Sequence, residues 1–187
     1  MKALTEMTRE ELWKLFPILL TPYDPEWPTD YRIEKENIIT AVGTAPIERI
    51  SHIGSTAVPG LRAKPTIDIL LEIKVDTDTG VLKKRLEETG YLFAEQPGKP
   101  APHMMFMKGY TPQGFAGKVY HLHVRYPGDW DELHFRNYLI RHPEEAHRYG
   151  ELKQRLMRQF EHDRDGYTDA KTGFIQEMVR RAREESR

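Results

Sequence analysis

Cysteine is absent from this 187-residue chain, and its absence removes disulfides, thiolate metal sites and cysteine nucleophiles together. Net charge is nearly absent too: 28 Lys and Arg stand against 29 Asp and Glu, a formal charge of −1. So balanced a chain carries no bulk field for holding a long nucleic acid or an acidic membrane surface, and neither is expected as a partner. A polyanion site would have to be a local cluster. Long apolar runs are also missing. The longest one near the N-terminus, Ile18-Leu19-Leu20, is too short for the apolar region of a signal peptide or for a membrane span. A cytoplasmic protein is the expectation. No repeat, low-complexity tract or linker interrupts the chain, and its length suits one domain, residues 1–187, with a proper core.

What is present concentrates in Ser51 to Ile73, S-H-I-G-S-T-A-V-P-G-L-R-A-K-P-T-I-D-I-L-L-E-I. An apolar run, Ile47 to Ile53, ends in Gly54-Ser55, a basic loop follows, and an alternating run then carries Asp68 and Glu72. Small residues at a turn let a ligand approach backbone N–H groups, so Gly54, Ser55 and Thr56 are candidate phosphate contacts. Arg62 and Lys64 in the loop are the natural charged partners of such a phosphate, one bidentate and one a point charge. Period two places Thr66, Asp68, Leu70 and Glu72 on one face of the second run. Ile67, Ile69, Leu71 and Ile73 form the other, which should pack on a core and leave the carboxylates facing a cleft or solvent.

Around this stretch the punctuation is mostly helical. Thr8 opens a capping box with Glu11, and Pro17 ends the helix that follows. Thr29 is the expected cap of a helix to about Val42, with Gly43 as its stop. Thr79 is the expected cap of a helix ending at Gly90. Tyr91–Ala94, Met104–Met107 and Val119–Tyr126 read as strands, the last with His121, His123 and Arg125 on one face. From Leu133 the chain turns helical. One helix starts at Pro143 and buries Ala146, Tyr149, Leu152, Leu156 and Phe160; a final one, capped by Thr168, presents Phe174, Ile175, Met178, Val179 and Ala182. The order is helices, a mixed sheet over about 45–126, and a helical part over about 130–187 that needs the sheet to bury its stripe. The fold class is α+β.

The candidate chemistry centres on Asp68. Two-metal phosphoryl transfer needs carboxylates that hold ions a few ångströms apart. Asp68 and Glu72 on one strand lie roughly 13 Å apart, so Glu72 is the weaker metal candidate of the two. His121 and His123, roughly 6.5–7 Å apart on one face, would with Asp68 make a mixed site suited to zinc, manganese or iron better than to magnesium. The competing reading is that these imidazoles bind phosphate or backbone without metal. His52 precedes the turn and is read as a structural histidine.

Together these segments resemble the GrpB family of nucleotidyltransferase-like proteins. The resemblance rests on L-F-P-I-L-L at 15–20, D-P-E-W at 24–27 and H-I-G-S-T-A-V-P-G-L-R-A-K-P-T-I-D-I-L-L at 52–71. Further segments are H-L-H-V at 121–124, F-R-N-Y-L at 135–139 and Y-T-D-A-K-T-G-F-I at 167–175. It implies a nucleotidyltransferase-like short mixed sheet flanked by helices, with a Gly-Ser turn holding a triphosphate and a D-x-D pair on the next strand binding two metal ions. Asp68 matches the first, catalytic carboxylate; Leu70 stands at the second, and no clear match supplies a third. The family segments Y-G-E-L-K and Y-T-D-A-K add Lys153 and Lys171 as phosphate contacts. The expected function is binding of a nucleotide or phosphorylated small molecule, with a nucleoside triphosphate and a divalent metal (Mg, Mn or Zn) as candidate substrate and cofactor for nucleotidyl transfer to an unidentified acceptor. The alternative is a non-catalytic binding or folding-assistance module with a protein partner. Fusions of this family to a coenzyme A biosynthetic kinase hint at that role, and Leu70 favours it.

Overall fold

Residues 2–161 and 163–186 are described in a computed structural model of the chain. Two helices open it, α1 (Arg9–Leu15) and α2 (Trp27–Val42), and lead into strand β1 (Ile47–Ile53). A short 3-10 turn, Ser55–Ala57, follows another at Leu4–Glu6 and leads to β2 (Thr66–Ile73). Helix α3 (Thr79–Glu88) and strands β3 (Leu92–Ala94), β4 (Met104–Thr111) and β5 (Gly114–Arg125) follow. The chain then continues as α4 (Asp131–Arg141), α5 (Pro143–Gln159), α6 (Arg164–Asp169) and α7 (Thr172–Glu185).

The strands form one mixed sheet in the order β1-β2-β5-β4-β3. β2 runs antiparallel to β1 and parallel to β5, which places Asp68 between Ile53 and His121, and Leu70 opposite His123. A central strand covered on both faces reads as apolar on both. The face of Ile67, Ile69, Leu71 and Ile73 packs as expected, against Ile38 and Val42 of α2 and Leu82 and Leu86 of α3. The other face was expected to be open, yet Thr66, Leu70 and Glu72 are all buried and only Asp68 keeps access. A second core gathers Phe135, Tyr138 and Leu139 of α4, Ala146 and Tyr149 of α5, and Met178, Val179 and Ala182 of α7. Val58 and Leu61, just past the 3-10 turn, insert into this second core. The turn is therefore anchored between the sheet on one side and the helices on the other.

The expected caps differ at three places, each for a local reason. Thr29 lies inside α2, which begins two residues earlier with Pro28 in its first turn, while the Asp24 carboxylate accepts from the Glu26 N–H. Asp78 rather than Thr79 caps α3; its Oδ1 accepts from Gly80 N at 2.9 Å and Val81 N at 3.0 Å. Thr168 lies within α6, whose cap is Asp163, and α7 starts only at Thr172. The β4–β5 hairpin is also longer than expected, closing at Thr111 and Gly114 around Pro112-Gln113. Gly109 makes this register possible, since a Cβ there would lie 2.5 Å from the Lys118 carbonyl oxygen.

The cap assignment has a direct test. Asp78→Ala should lower stability by about 1 kcal/mol in denaturant titration, while Thr79→Ala should change it by a few tenths at most.

Candidate functional site

The site is built where β1 ends. Gly54 has φ 72° and ψ −171°, a backbone conformation essentially restricted to glycine. A Cβ there would also stand 2.5 Å from Asp68 Oδ2 and 3.1 Å from Asp68 Cβ. Glycine is thus required twice, for the angle and for the carboxylate packed against it. Ser55 follows, with its hydroxyl oxygen 3.1 Å from the ammonium of Lys153. Lys153, on α5, is only 3% exposed and also donates to the carbonyl oxygen of Arg62.

These residues open onto a cleft of about 640 Å³ between the sheet and the C-terminal helices. Gly54, Ser55, Asp68 and His123 form its floor, Lys171 and Tyr149 one side, and Trp130 and Phe135 another. Arg164 joins the basic side, close enough to act electrostatically on Lys64, Lys171 and Tyr110. Burial and the neighbouring Lys171 pull the Lys153 ammonium down to about 7, although Asp68 pulls it the other way. Burial, with Arg164 and Lys171, likewise brings Lys64 down to about 7 against the opposing pull of Asp68. Lys171 falls to about 8, chiefly through burial. Among the described residues, none of Lys64, Lys153, Lys171 and Arg164 forms a salt bridge with a carboxylate. Lys64 also lines a neighbouring cavity with Trp27 and Asp30.

Asp68 is the carboxylate at the centre. Burial pushes its pKa up, but the two imidazoles more than offset this and leave it well below the usual carboxylate range. His121 Nδ1 lies 3.3 Å and His123 Nε2 3.9 Å from Asp68 Oδ1. Tyr110 OH is 2.7 Å from His121 Nε2. An ionised carboxylate only accepts, so the geometry assigns the His121 proton to Nδ1, with Nε2 accepting from the tyrosine. Both nitrogens of His121 are then committed. The expected Asp68–His121–His123 metal site is not assembled in this arrangement, and no cluster of three His, Asp or Glu side chains able to hold a metal occurs among the described residues.

Three other expected contacts change place. Glu72 is 1% exposed and faces Arg49, which grips it through two nitrogens, while the Gly128 N–H donates to it at 3.2 Å. It ties β1, β2 and the loop before α4 together and takes no part in the cleft. Thr56 is buried as well; its hydroxyl donates to the Thr66 carbonyl at 3.1 Å and meets His52 Nε2 at 3.0 Å, so it is unavailable to a phosphate. His52 stacks on Tyr31 at 4.8 Å, and burial lowers its pKa to about 4, which suits the structural role expected of it. Arg62 lines a separate groove beside Gly150 and Gln154, and only its carbonyl reaches the site, through Lys153. Tyr110, Trp130 and Tyr149 were not foreseen. Tyr110 lies on the part of β4 beyond Met107, which only recognition of the Pro112-Gln113 turn would have exposed.

The fold has counterparts. The crystal structure of the Cid1 poly(U) polymerase bound to MgATP superposes with a TM-score of 0.50 over 74% of this chain and 43% of that one, at 11% identity. At that identity the likeness concerns the fold, which is nucleotidyltransferase-like. The crystal structure of the conserved protein GrpB from Enterococcus faecalis matches with a TM-score of 0.77 and 28% identity, covering 90% of this chain and 99% of that one. A UPF0157 protein of Pseudomonas aeruginosa is 41% identical over 167 residues, 88% of this chain and 67% of that protein. The sequence profile described as GrpB protein matches residues 17–181, and the chain belongs to the GrpB family.

The fold implies two divalent ions held by carboxylates, and the residues here do not fit that requirement. Leu70 occupies the second carboxylate position and is buried, Glu72 is held by Arg49, and β5 brings His121, His123 and Arg125 to the same face. Of the carboxylate positions that the fold implies, Asp68 alone is filled and open; Asp129, Asp131 and Glu132 line the same cleft from the loop before α4 and its first turn.

Two measurements bear on the site. Gly54→Ala should cost about 1–3 kcal/mol or more in denaturant unfolding, because it combines backbone strain with a clash against Asp68. For Lys153 the folded pKa is lowered, so between about 7 and the ordinary 10.5 the unfolded chain holds the extra proton. The penalty on the native state is complete below pH 7 and fades above it. The stability of Lys153→Met relative to the unaltered chain should therefore fall by up to about 1.4 kcal/mol per pH unit from pH 7 to 9.

Proposed function

We propose that the chain binds a nucleotide, or another small molecule carrying phosphate, in the cleft between the Gly54-Ser55 turn and the C-terminal helices. The observation that carries this reading is the convergence of Lys153, Lys171, Lys64 and Arg164 on a glycine turn, with no carboxylate paired to them. Ammonium groups held out of water with only neutral acceptors are unfavourable until an anion joins them. Phosphate oxygens would meet Ser55 and the lysines, and Trp130, Phe135 and Tyr149 offer apolar and aromatic walls to the rest of the ligand. The nucleotidyltransferase-like fold supports the same placement.

Nucleotidyl transfer to an unidentified acceptor is the enzymatic form of this reading, with Asp68 as its catalytic carboxylate. The non-catalytic form, a ligand-binding or folding-assistance module, is favoured by the buried Leu70 and the engaged Glu72, which leave Asp68 without a second carboxylate.

Thermal unfolding with ATP, GTP, CTP and coenzyme A tests the binding reading. The correct ligand at about 100 times its Kd should raise Tm by about 5–10 °C. If none of the four, with or without Mg²⁺ or Mn²⁺, shifts Tm at millimolar concentration, the phosphate-site reading fails. Incubation with labelled nucleoside triphosphates and an acceptor panel separates the two forms. The expected result is no label transfer; incorporation abolished by Asp68→Ala would establish the transferase instead.

A further inference from the structure

We infer that the cleft holds the phosphates of its ligand with its own ammonium and guanidinium groups, and that it takes a diphosphate-type anion without a divalent ion. This deepens the phosphate-site reading and rests on it.

Elsewhere in the molecule, buried carboxylates are neutralised in place: Asp30 by Lys118, Glu34 by Lys108, Glu72 by Arg49, and Glu145 by Arg148 and Arg181. The cleft follows the opposite rule. Lys153 is 3% exposed and satisfies its hydrogen bonds on two neutral oxygens, Ser55 Oγ and Arg62 O, while Asp68 acts on it without a direct pair. Lys171 lies over the Tyr167 ring at 4.2 Å. Lys64 and Arg164 stand near enough to repel it and each other. Against these four cations stands Asp68 on the floor, which two imidazoles already approach; Asp129 and Asp131, both exposed and paired with Arg183, and Glu132 line the same cleft.

A divalent ion entering beside the glycine turn would meet Asp68 as its charged ligand and four positive neighbours. A diphosphate would meet four donors and a glycine turn. The charges that a pair of metal ions supplies in the related fold are supplied by side chains from the loop before β2, from α5, from α6 and from the start of α7. Asp68 then opposes the anion electrostatically, and the two proposals predict opposite signs for its removal. If a metal bridges phosphate to Asp68, neutralising the carboxylate abolishes binding. If lysines hold the phosphate directly, neutralising it leaves binding unchanged or strengthens it.

The experiment is isothermal titration of the full chain with inorganic pyrophosphate at pH 6.5, in excess EDTA and then with Mg²⁺. The expected Kd in EDTA is within about threefold of that in Mg²⁺, a difference below 1 kcal/mol. Asp68→Asn should bind at least as tightly in EDTA, while Lys153→Met and Lys171→Met should each weaken binding about tenfold or more, with circular dichroism reporting their folding. Binding that appears only with Mg²⁺ and vanishes in Asp68→Asn overturns the inference and leaves the phosphate-site reading standing. Absence of pyrophosphate binding under both conditions also overturns it; the wider reading then falls only if the nucleotides also fail to raise Tm. The comparison of EDTA with Mg²⁺ on the unaltered chain needs no variant to fold.

Discussion

The site depends on one close contact, the backbone of Gly54 lying against the carboxylate of Asp68. That approach is available only where the first residue of the turn has no side chain. It follows from the register of the sheet: Ile53, the last residue of β1, pairs with Asp68, so the chain must leave the strand directly over the carboxylate. Everything placed afterwards inherits this position. Ser55 is set within reach of Lys153, and Val58 and Leu61 are delivered to the core of the helical half. The two cores of the molecule are thereby joined through the turn, and Arg136 adds a second tie by donating at 2.7 Å to the His52 carbonyl.

A consequence is that polar residues of similar type take unrelated roles a few positions apart. Asp68 and Glu72 share a face of β2, yet one opens on a cleft and the other is sealed by a guanidinium and a backbone N–H. Ser55 and Thr56 are adjacent hydroxyls, yet the first faces the cleft and the second braces the loop from below. Position relative to the two cores decides the role, since a polar group in either must find an internal partner.

Much of this was legible in the sequence. The alternation of β2 set its core face, and the glycine-serine turn with its downstream Asp68 identified the floor of the cleft. The family segments pointed to Lys153 and Lys171, which the structure brings to the cleft from helices far along the chain. What escaped had physical causes. Period two could not say that both faces of β2 would be covered, because the groups that close the second face come from distant segments, such as Gly128, whose N–H reaches Glu72. The partner of Glu72, Arg49, is adjacent only through strand pairing. Caps were misplaced where two competent residues adjoin, as at Asp78 and Thr79, and the walls contributed by Trp130 and Tyr149 depend on how helices stack on the sheet.

The arrangement of charge also shapes how a ligand would arrive. Along α7 and its neighbours the surface charges cancel locally, Arg180 with Glu177 and Glu184, and Arg183 with Asp129 and Asp131. The molecule as a whole carries a formal charge of −1. Beside the Gly54-Ser55 turn, Lys64, Lys153, Lys171 and Arg164 form a positive cluster without a directly paired carboxylate, in a low-dielectric recess that focuses field lines toward its mouth. An anion diffusing nearby would be drawn to that mouth over about a Debye length, roughly 8–10 Å at physiological salt. Association would then be fast in dilute buffer and slower as ionic strength rises, so that a nearly neutral protein would capture its ligand with the kinetics of a basic one.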